Sequence, residues 1–116
     1  MQFENLKSYW MNEDHVMFQD AATKYLETEW KPRAEGWRKD GIMERTVWNE
    51  AGEMGLLCAS VPEEYGGAGG DFGHEAVLSL IQNHHNMASW GQSIHSGIVA
   101  HYILNCGTEE QKKRWL

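Results

Sequence analysis

A cluster of glycines is the first feature that could do chemistry, because four of the five residues from 66 to 70 are glycine. Loops of this kind can hold a phosphate at the start of a helix. A dinucleotide fingerprint needs glycine at its first, third and sixth positions, but counting from Gly67 the sixth residue is Phe72. A P-loop needs a lysine, and no basic residue stands between Arg45 and Lys112. We therefore predict a tight structural turn and no phosphate site.

Histidine-rich segments raise the question of a metal site, since His84, His85, His95 and His101 lie on two adjacent helical stretches. Helical metal sites space their ligands three or four residues apart, whereas His95 and His101 are six apart. The chain also contains no H-E-x-x-H or Cys-x-x-Cys motif. We predict no metal ligands, and expect these histidines at helix ends, on the surface or along a pocket.

Catalytic side-chain combinations are weak in this sequence. Ser93, His95 and Glu75 would supply a nucleophile, a base and an acid, but no G-x-S-x-G elbow accompanies them. Glu63 and Glu64 are neighbours on a loop, where a solvated turn is the simpler interpretation than an acid/base pair. We predict no catalytic residue in this chain.

Composition limits the compartment and the partners. Ten basic against seventeen acidic residues give a net charge of −7, so nucleic acid and anionic membranes are not expected partners. Cys58 and Cys106 are predicted to be small buried apolar groups in a reducing compartment, and one bridge between them stays an open alternative. The start of the chain does not resemble a signal peptide, and no apolar run reaches the ~20 residues of a membrane span. We predict a cytoplasmic protein.

Hydrophobic spacing predicts two helices ahead of the glycine loop. The first covers about residues 12–30, with an asparagine at its N-cap, and Pro32 marks its end. The charged segment 33–42 is expected to be a surface connection. The second helix covers about residues 44–54, with Gly55 in the left-handed position after it.

Three more helices are predicted beyond the glycine loop, which then forms a turn between the second and third helices. The third covers about residues 71–86 and the fourth about residues 89–106. Apolar residues cover most of the fourth helix's circumference, so we expect that helix to be central. A Thr-Glu-Glu-Gln capping box at 108–111 begins the fifth. The run "LLCASV" at 56–61 is a short strand or an extended connector. The prediction is an all-α bundle of about five helices.

The order of short motifs along the chain is more specific than any one of them. "MGLLCASVPEEYGGAGGDFGHEAVLSLI", followed by "SIHSGIVAHYILNCGTEEQKKRWL", resembles the N-terminal α-helical domain of the acyl-CoA dehydrogenase family. The resemblance covers nearly all of residues 1–116 and is strongest from about Val47 onward. It implies one domain of a larger enzyme, followed in the family by a middle β-domain and a C-terminal helical domain.

Membership of that family would imply an FAD-dependent α,β-desaturation of an acyl-CoA thioester. A carboxylate removes the α-proton and the flavin takes the β-hydride, with the flavin and the catalytic glutamate held mainly by the two later domains. We therefore expect the 116-residue chain to be inactive alone and not to bind FAD stably. The resemblance also implies an electron-transfer flavoprotein-like acceptor and a homo-oligomeric parent enzyme.

This helical domain contributes part of the acyl-chain pocket in the family. The matching positions are Trp90, Gly91, Ile94 and Ile98, with Met87 and His95 as neighbours. Ordinary core packing is the alternative interpretation of the same residues. Trp90 is bulky, and it would shorten such a pocket and suit a short or unusual acyl group.

Two other functions fit the same sequence. Nitroalkane oxidases and flavin-dependent monooxygenases share this helical domain, and they diverge in the later domains. A free-standing helical module could instead bind a partner helix through Trp115 and Leu116. Whether the natural chain continues past Leu116 decides between an enzyme domain and such a module.

Overall fold

The computed structural model of the chain describes residues 8–87 and 89–116, and every regular element in those ranges is helical, as predicted. Seven α-helical segments follow one another: α1 Glu13–Tyr25, α2 Ala34–Asp40, α3 Arg45–Glu53, α4 Phe72–His84, α5 Gln92–Ile94, α6 Ala100–Cys106 and α7 Glu109–Trp115. A π-helical turn, His95–Val99, joins α5 to α6, and we call this continuous unit the α5–α6 helix.

The predicted helix starts are confirmed by their caps. Asn12 caps α1, with its side chain accepting from the backbone of His15. Thr108 caps α7 through the predicted capping box, since its hydroxyl accepts from Gln111 N at 3.2 Å and the Gln111 side chain accepts from Thr108 N at 2.9 Å. Gly55 follows α3 with φ of +71°, the left-handed geometry expected there.

The segment 33–42 is not the surface connection that its charges suggested. A π-helical turn, Leu26–Trp30, and a 3₁₀ turn, Lys31–Arg33, lead from α1 directly into α2. Trp37 on α2 is buried, and its indole lies edge-on to that of Trp30 at 6.2 Å between ring centroids. Trp37, together with the buried Ala34, therefore fixes a helix whose other side chains are mostly charged.

Trp30 stands at the centre of the main core. Its ring packs edge-on against Trp90, with 4.7 Å between centroids, and against Tyr25 at 5.8 Å. Val47 from α3 and Leu78 from α4 are fully buried in the same cluster. α1 packs along α4, and the aromatic cluster fills the space between them and α3.

Internal hydrogen bonds occupy the glycine loop. The backbone amides of Gly67, Gly69 and Gly70 donate to carbonyl oxygens of Pro62, Val61 and Ala59. A Cβ on Gly67 would lie 2.0 Å from the Val61 carbonyl oxygen, so this position requires glycine for close backbone approach. These amides are not free to cradle a phosphate, which agrees with the predicted turn. The preceding run at 56–61 forms bends and turns and is not a strand.

The α5–α6 helix is not central. Its apolar side chains Ile94, Ile98 and Tyr102 are 62%, 51% and 70% exposed, whereas Gln92 and Ser96 are fully buried. The helix thus packs through a polar face and presents its apolar face outward. The apolar content along its whole circumference had predicted the reverse.

The last helix packs back on the others through Leu116, which contacts a small second core formed by Cys58, Val61 and Ala100. Trp115 is more than half exposed. Both cysteines are free, and Cys58 is buried as predicted, but Cys106 is exposed, so that prediction was wrong for it.

Candidate functional site

The residues predicted to line an acyl pocket divide into two groups. Met87 and Trp90 lie in the core, and Trp90 has no exposed surface. Gly91, Ile94, His95 and Ile98 lie on exposed positions at the start of the α5–α6 helix and along its π turn. The structure therefore places four of the six on a surface where another molecule or chain segment can contact them.

Beside this surface lies a cleft of about 490 Å³ between the start of α3 and the π turn. Its polar side chains come from Arg45, Asn49 and His95. Its apolar side chains come from Ile42, Met43, Trp48 and Leu57. The indole of Trp48 and the imidazole of His95 lie 5.4 Å apart, tilted by 52°. Among the residues that the structure describes, no aspartate or glutamate lines the cleft.

The imidazole of His95 is held on one side by Ser96. Ser96 Oγ accepts from Cys58 N at 2.9 Å and lies 3.0 Å from His95 Nδ1. A hydroxyl oxygen can accept two hydrogen bonds or donate one, so both neutral tautomers of His95 fit this contact. His95 Nε2 has no partner among residues 8–87 and 89–116.

Ser96 also anchors the α5–α6 helix to the segment before the glycine loop. The backbone of Cys58, which donates to Ser96, has φ of +51°, a strained value for a residue other than glycine. Burial raises the pKa of the Cys58 thiol, which favours the protonated, unreactive form.

A buried carboxylate connects three parts of the fold. Glu75 on α4 is buried, and its Oε1 accepts from Ser60 N at 3.2 Å and from Ser60 Oγ at 3.1 Å. Its Oε2 accepts from the amide of Gln92 on α5. Ser60 Oγ in turn lies 2.7 Å from Nε2 of His101 on α6. This network holds the polar face of the α5–α6 helix against α4.

The residues considered as a triad do not meet as one. Glu75 bonds Gln92 and Ser60, not His95, and Ser93 is exposed. Two serine–histidine contacts do occur among the described residues, Ser60 with His101 and Ser96 with His95. The Glu75 carboxylate accepts from Ser60 and contacts neither imidazole. A triad needs the acid to orient the imidazole, so this arrangement is a structural chain of hydrogen bonds.

A second groove, of about 290 Å³, runs along the exposed face of α6. Its lining residues are Gly97, Ile98, His101, Tyr102, Asn105 and Cys106. It continues the apolar face that begins at Ile94.

Sequence analysis missed a pair of buried histidines that joins the N-termini of α1 and α4. His15 Nδ1 accepts from Asn12 N at 3.2 Å, and His15 Nε2 donates to Asp71 Oδ1 at 2.7 Å. His74 Nδ1 accepts from Asp71 N at 3.0 Å, and His74 Nε2 lies 2.8 Å from Asp14 Oδ2. Each histidine thus caps its own helix and bonds a carboxylate at the start of the other.

The ligand atoms of His15, Asp71 and His74 lie within 4.8 Å of one another, a spacing that a metal ion could use. A metal needs a ring-nitrogen lone pair, but His15 Nδ1 already accepts a backbone proton. The His15 proton is therefore on Nε2, the atom that faces Asp71. We assign the cluster a structural role. The hydrogen bond from His15 is the largest effect, and it lowers the pKa of Asp71 below its usual range. Burial opposes this by raising the pKa, and the contact with His74 adds to the lowering.

No helix within the described ranges is both long and apolar enough to cross a bilayer.

Comparisons with known proteins agree with this all-helical arrangement. The family model described as "Acyl-CoA dehydrogenase, N-terminal domain" matches residues 12–116. A crystal structure of an acyl-CoA dehydrogenase from Geobacillus kaustophilus superposes with a TM-score of 0.88 at 38% identity, covering 94% of this chain and 29% of that one. The "Long-chain specific acyl-CoA dehydrogenase, mitochondrial" of Rattus norvegicus is 38% identical over 103 residues, which are 89% of this chain and 24% of the rat protein.

A more distant relative is the "(2S)-methylsuccinyl-CoA dehydrogenase" of Cereibacter sphaeroides, 30% identical over 109 residues, 91% of this chain and 20% of that protein. The fold is thus that of the helical domain of a large group of oxidoreductases. The chain belongs to the acyl-CoA dehydrogenase N-terminal domain family. It spans about a quarter of the length of the relatives it matches.

Proposed function

We propose that this chain acts as the N-terminal helical domain of an FAD-dependent acyl-CoA dehydrogenase that introduces an α,β double bond into an acyl-CoA thioester. The observation that carries the proposal is the α5–α6 helix. Its polar face is fixed through Gln92 and Ser96, and its apolar face, at Ile94 and Ile98, is turned outward. Family membership supports the same assignment.

The substrate-facing residues of this domain follow from that surface. The acyl chain runs along Gly91, Ile94 and Ile98 at the start of the helix, with His95 beside it. Met87 and Trp90 form the packed layer beneath, so the volume of Trp90 limits how far the chain can extend. The contribution of this domain is apolar contact and exclusion of water, and no proton is transferred by its residues.

FAD supplies the hydride acceptor in this reaction. The glycine loop does not fit a flavin pyrophosphate, because its amides bond Pro62, Val61 and Ala59. The lysine that packs over the adjacent Tyr65, Lys112, already bonds Glu109. The cofactor is therefore held by other parts of the full enzyme. The chain alone is inactive and does not retain FAD.

The partners that we propose for the full enzyme are those of the acyl-CoA dehydrogenase family. An acyl-CoA is the substrate, an electron-transfer flavoprotein-like protein accepts the electrons, and the full enzyme is a homo-oligomer. The cytoplasmic location stays a prediction, and the rat relative is named as a mitochondrial protein. Fractionation of the source cells measures location directly.

The test is a chain-length profile of the full-length enzyme. Ile98→Trp narrows the space on the apolar face, so kcat/KM for long acyl-CoA substrates falls more than for short ones. Val99→Trp is the matched control, because Val99 is similarly exposed on the next position of the helix. Equal losses for all chain lengths, or equal effects of the two variants, would contradict the pocket assignment.

Trp90→Ala tests the layer beneath. We expect a shift of preference toward longer acyl chains, and an unchanged preference in a folded variant would overturn the role given to Trp90. Oxygen consumption measured beside reduction of an artificial electron acceptor distinguishes a dehydrogenase from an oxidase or monooxygenase of the same fold.

A further inference from the structure

The cleft beside His95 has an unusual charge for this protein. The chain carries a net charge of −7, yet in the described part of the structure the cleft is lined by one arginine, Arg45, and by no aspartate or glutamate. A local positive site on an acidic surface attracts anions selectively, because anions are repelled from the rest of the surface.

Arg45 is unpaired, in contrast to the arginines near it. Arg33 bonds Glu44 at 2.6 Å and Glu50 at 2.9 Å, and Arg38 bonds Glu35 at 2.7 Å. Arg45 forms no hydrogen bond or ion pair with any residue in the described part of the chain. Its guanidinium therefore has its planar, two-pronged donor set available for a carboxylate.

Two further donors line the same cleft. His95 Nε2 has no partner among the described residues, and the tautomer that carries its proton on Nε2 can donate to a bound carboxylate. Asn49 is exposed, and its amide has no partner among the described residues. Arg45, Asn49 and His95 thus combine a charge with two neutral donors, which is the chemistry that recognises a carboxylate.

Apolar walls complete the site. Trp48 is half-buried, with its ring tilted against His95, and Ile42 and Leu57 border the same space. The cleft volume of about 490 Å³ is within the range of small-molecule pockets. An aromatic ring or a short alkyl body fits beside an indole, whereas a bare inorganic ion would leave these walls uncovered.

We propose that the cleft between α3 and the π turn binds a small carboxylate ligand with a compact apolar body, the carboxylate on Arg45 and the body against Trp48. The site shares only His95 with the surface proposed for the acyl chain at Ile94 and Ile98. It requires no flavin and no desaturation, so it stands or falls independently of the proposed function.

The experiment is a titration of the chain with phenylacetate, followed by two-dimensional ¹H–¹⁵N NMR of the indole N–H groups. The Trp48 signal is identified by its absence in Trp48→Phe. We expect a saturable shift of that signal, and at least a tenfold weaker affinity in Arg45→Gln. Arg38→Gln is the matched control, since it removes the same charge from an exposed arginine outside the cleft, and it should bind as the unchanged protein does.

Phenylacetamide, which lacks the charge, should shift the Trp48 signal little. Equal binding of the amide and the acid, or unchanged affinity in Arg45→Gln, would overturn the proposal. The same titration on the full-length natural protein identifies the source of the carboxylate. Binding there supports a small-molecule ligand, and loss of binding would assign the cleft to a carboxylate of the protein's own chain.

Discussion

His15 Nε2 donates to Asp71 Oδ1 over 2.7 Å, although the two residues are 56 positions apart in sequence. The bond joins the first turn of α1 to the residue that precedes α4. Because His15 also accepts the backbone proton of Asn12, one imidazole caps a helix and fixes the position of another.

Asp71→Asn tests this connection through pH. The pKa of Asp71 is lowered in the folded chain, so its charge stabilises the fold above the unfolded pKa of about 4, and this stabilisation is lost as pH falls through the lower folded value. Because the Asp71 side chain is 62% exposed and solvent screens its charge, we expect the variant to be less stable by only about 0.5 kcal/mol at pH 7. Urea unfolding at several pH values should show the difference vanishing in acid. Asp20→Asn on the exposed side of α1 is the control, and a difference that persists in acid would contradict the assignment.

Glu75→Ala should be the most damaging change of a charged residue. It leaves Ser60 N and the Gln92 amide without an acceptor in the interior, a loss of about 3 kcal/mol in the free energy of unfolding. Glu75→Gln keeps one acceptor and should lose less. Urea denaturation measures both, with Glu53→Ala on the exposed surface as the control. Equal stability of the Glu75 and Glu53 variants would show that the buried network contributes nothing.

Trp90→Phe and Trp90→Ala should differ in their loss of unfolding free energy by more than the side-chain volumes alone suggest. Trp90 Nε1 is buried without a hydrogen-bond partner among the described residues, so phenylalanine removes an unsatisfied donor while keeping an aromatic ring against Trp30. We expect about 1 kcal/mol lost for phenylalanine and about 4 kcal/mol for alanine. Thermal unfolding gives both values. A phenylalanine variant as unstable as the alanine variant would mean that the indole N–H has a partner.

Gly67→Ala and Gly36→Ala should change stability in opposite directions. A Cβ on Gly67 meets the Val61 carbonyl, whereas one on Gly36 in α2 meets nothing within 4 Å. We expect a loss of about 3 kcal/mol at position 67 and a gain of about 0.5 kcal/mol at position 36. Urea denaturation of both variants beside the unchanged protein measures these differences. A Gly67→Ala variant as stable as the unchanged protein would show that the loop backbone can move to accommodate the Cβ.

The Tyr65 hydroxyl should lose its proton at a higher pH than an ordinary tyrosine. Its hydroxyl donates to Glu109 at 2.8 Å, and this bond raises the pKa of Tyr65 to about 12. The contact increases the free energy of unfolding at pH values below the ordinary tyrosine pKa of about 10. This stabilisation is lost as pH rises through the pKa of Tyr65 in the folded chain. NMR of ¹³C-labelled tyrosine should show Glu109→Gln returning the pKa of Tyr65 toward 10. Glu110→Gln is the neighbouring control, and an unchanged titration in Glu109→Gln would refute the bond.

Local signals in the sequence were enough to place most helices. Caps at Asn12 and Thr108 and the left-handed Gly55 each depend on neighbours within a few residues, and all three are confirmed. The prediction of a surface connection around Trp37 was wrong. The segment is mostly charged, and its apolar face consists of only two residues, Ala34 and Trp37, which are buried against the aromatic core. That burial depends on contacts with distant residues and leaves no local pattern in the sequence.

The candidate sites depended on contacts that no local pattern records. The usual capping box has glutamate or glutamine at its third position, so histidine in that role at positions 15 and 74 gave no recognised signal. Arg45 and His95 meet across 50 positions of sequence to line one cleft. Both residues can be picked out of the sequence as possible anion ligands. Only the folded structure shows that they line the same cleft and that no described aspartate or glutamate lines it with them.

The π turn at His95–Val99 has a consequence for how the chain can be compared and edited. On a regular α-helix, residues eight apart such as Gln92 and Ala100 differ in direction by about 80°, and the wider turn brings them onto one line with Ser96. Because the wider turn accommodates one residue more than an α-turn, deleting one residue there would restore a regular helix and leave the later side chains facing nearly as they do now. A sequence alignment with a relative that lacks this extra residue therefore needs a one-residue gap at the π turn. Without the gap, every later residue is matched to one on a different face of the helix.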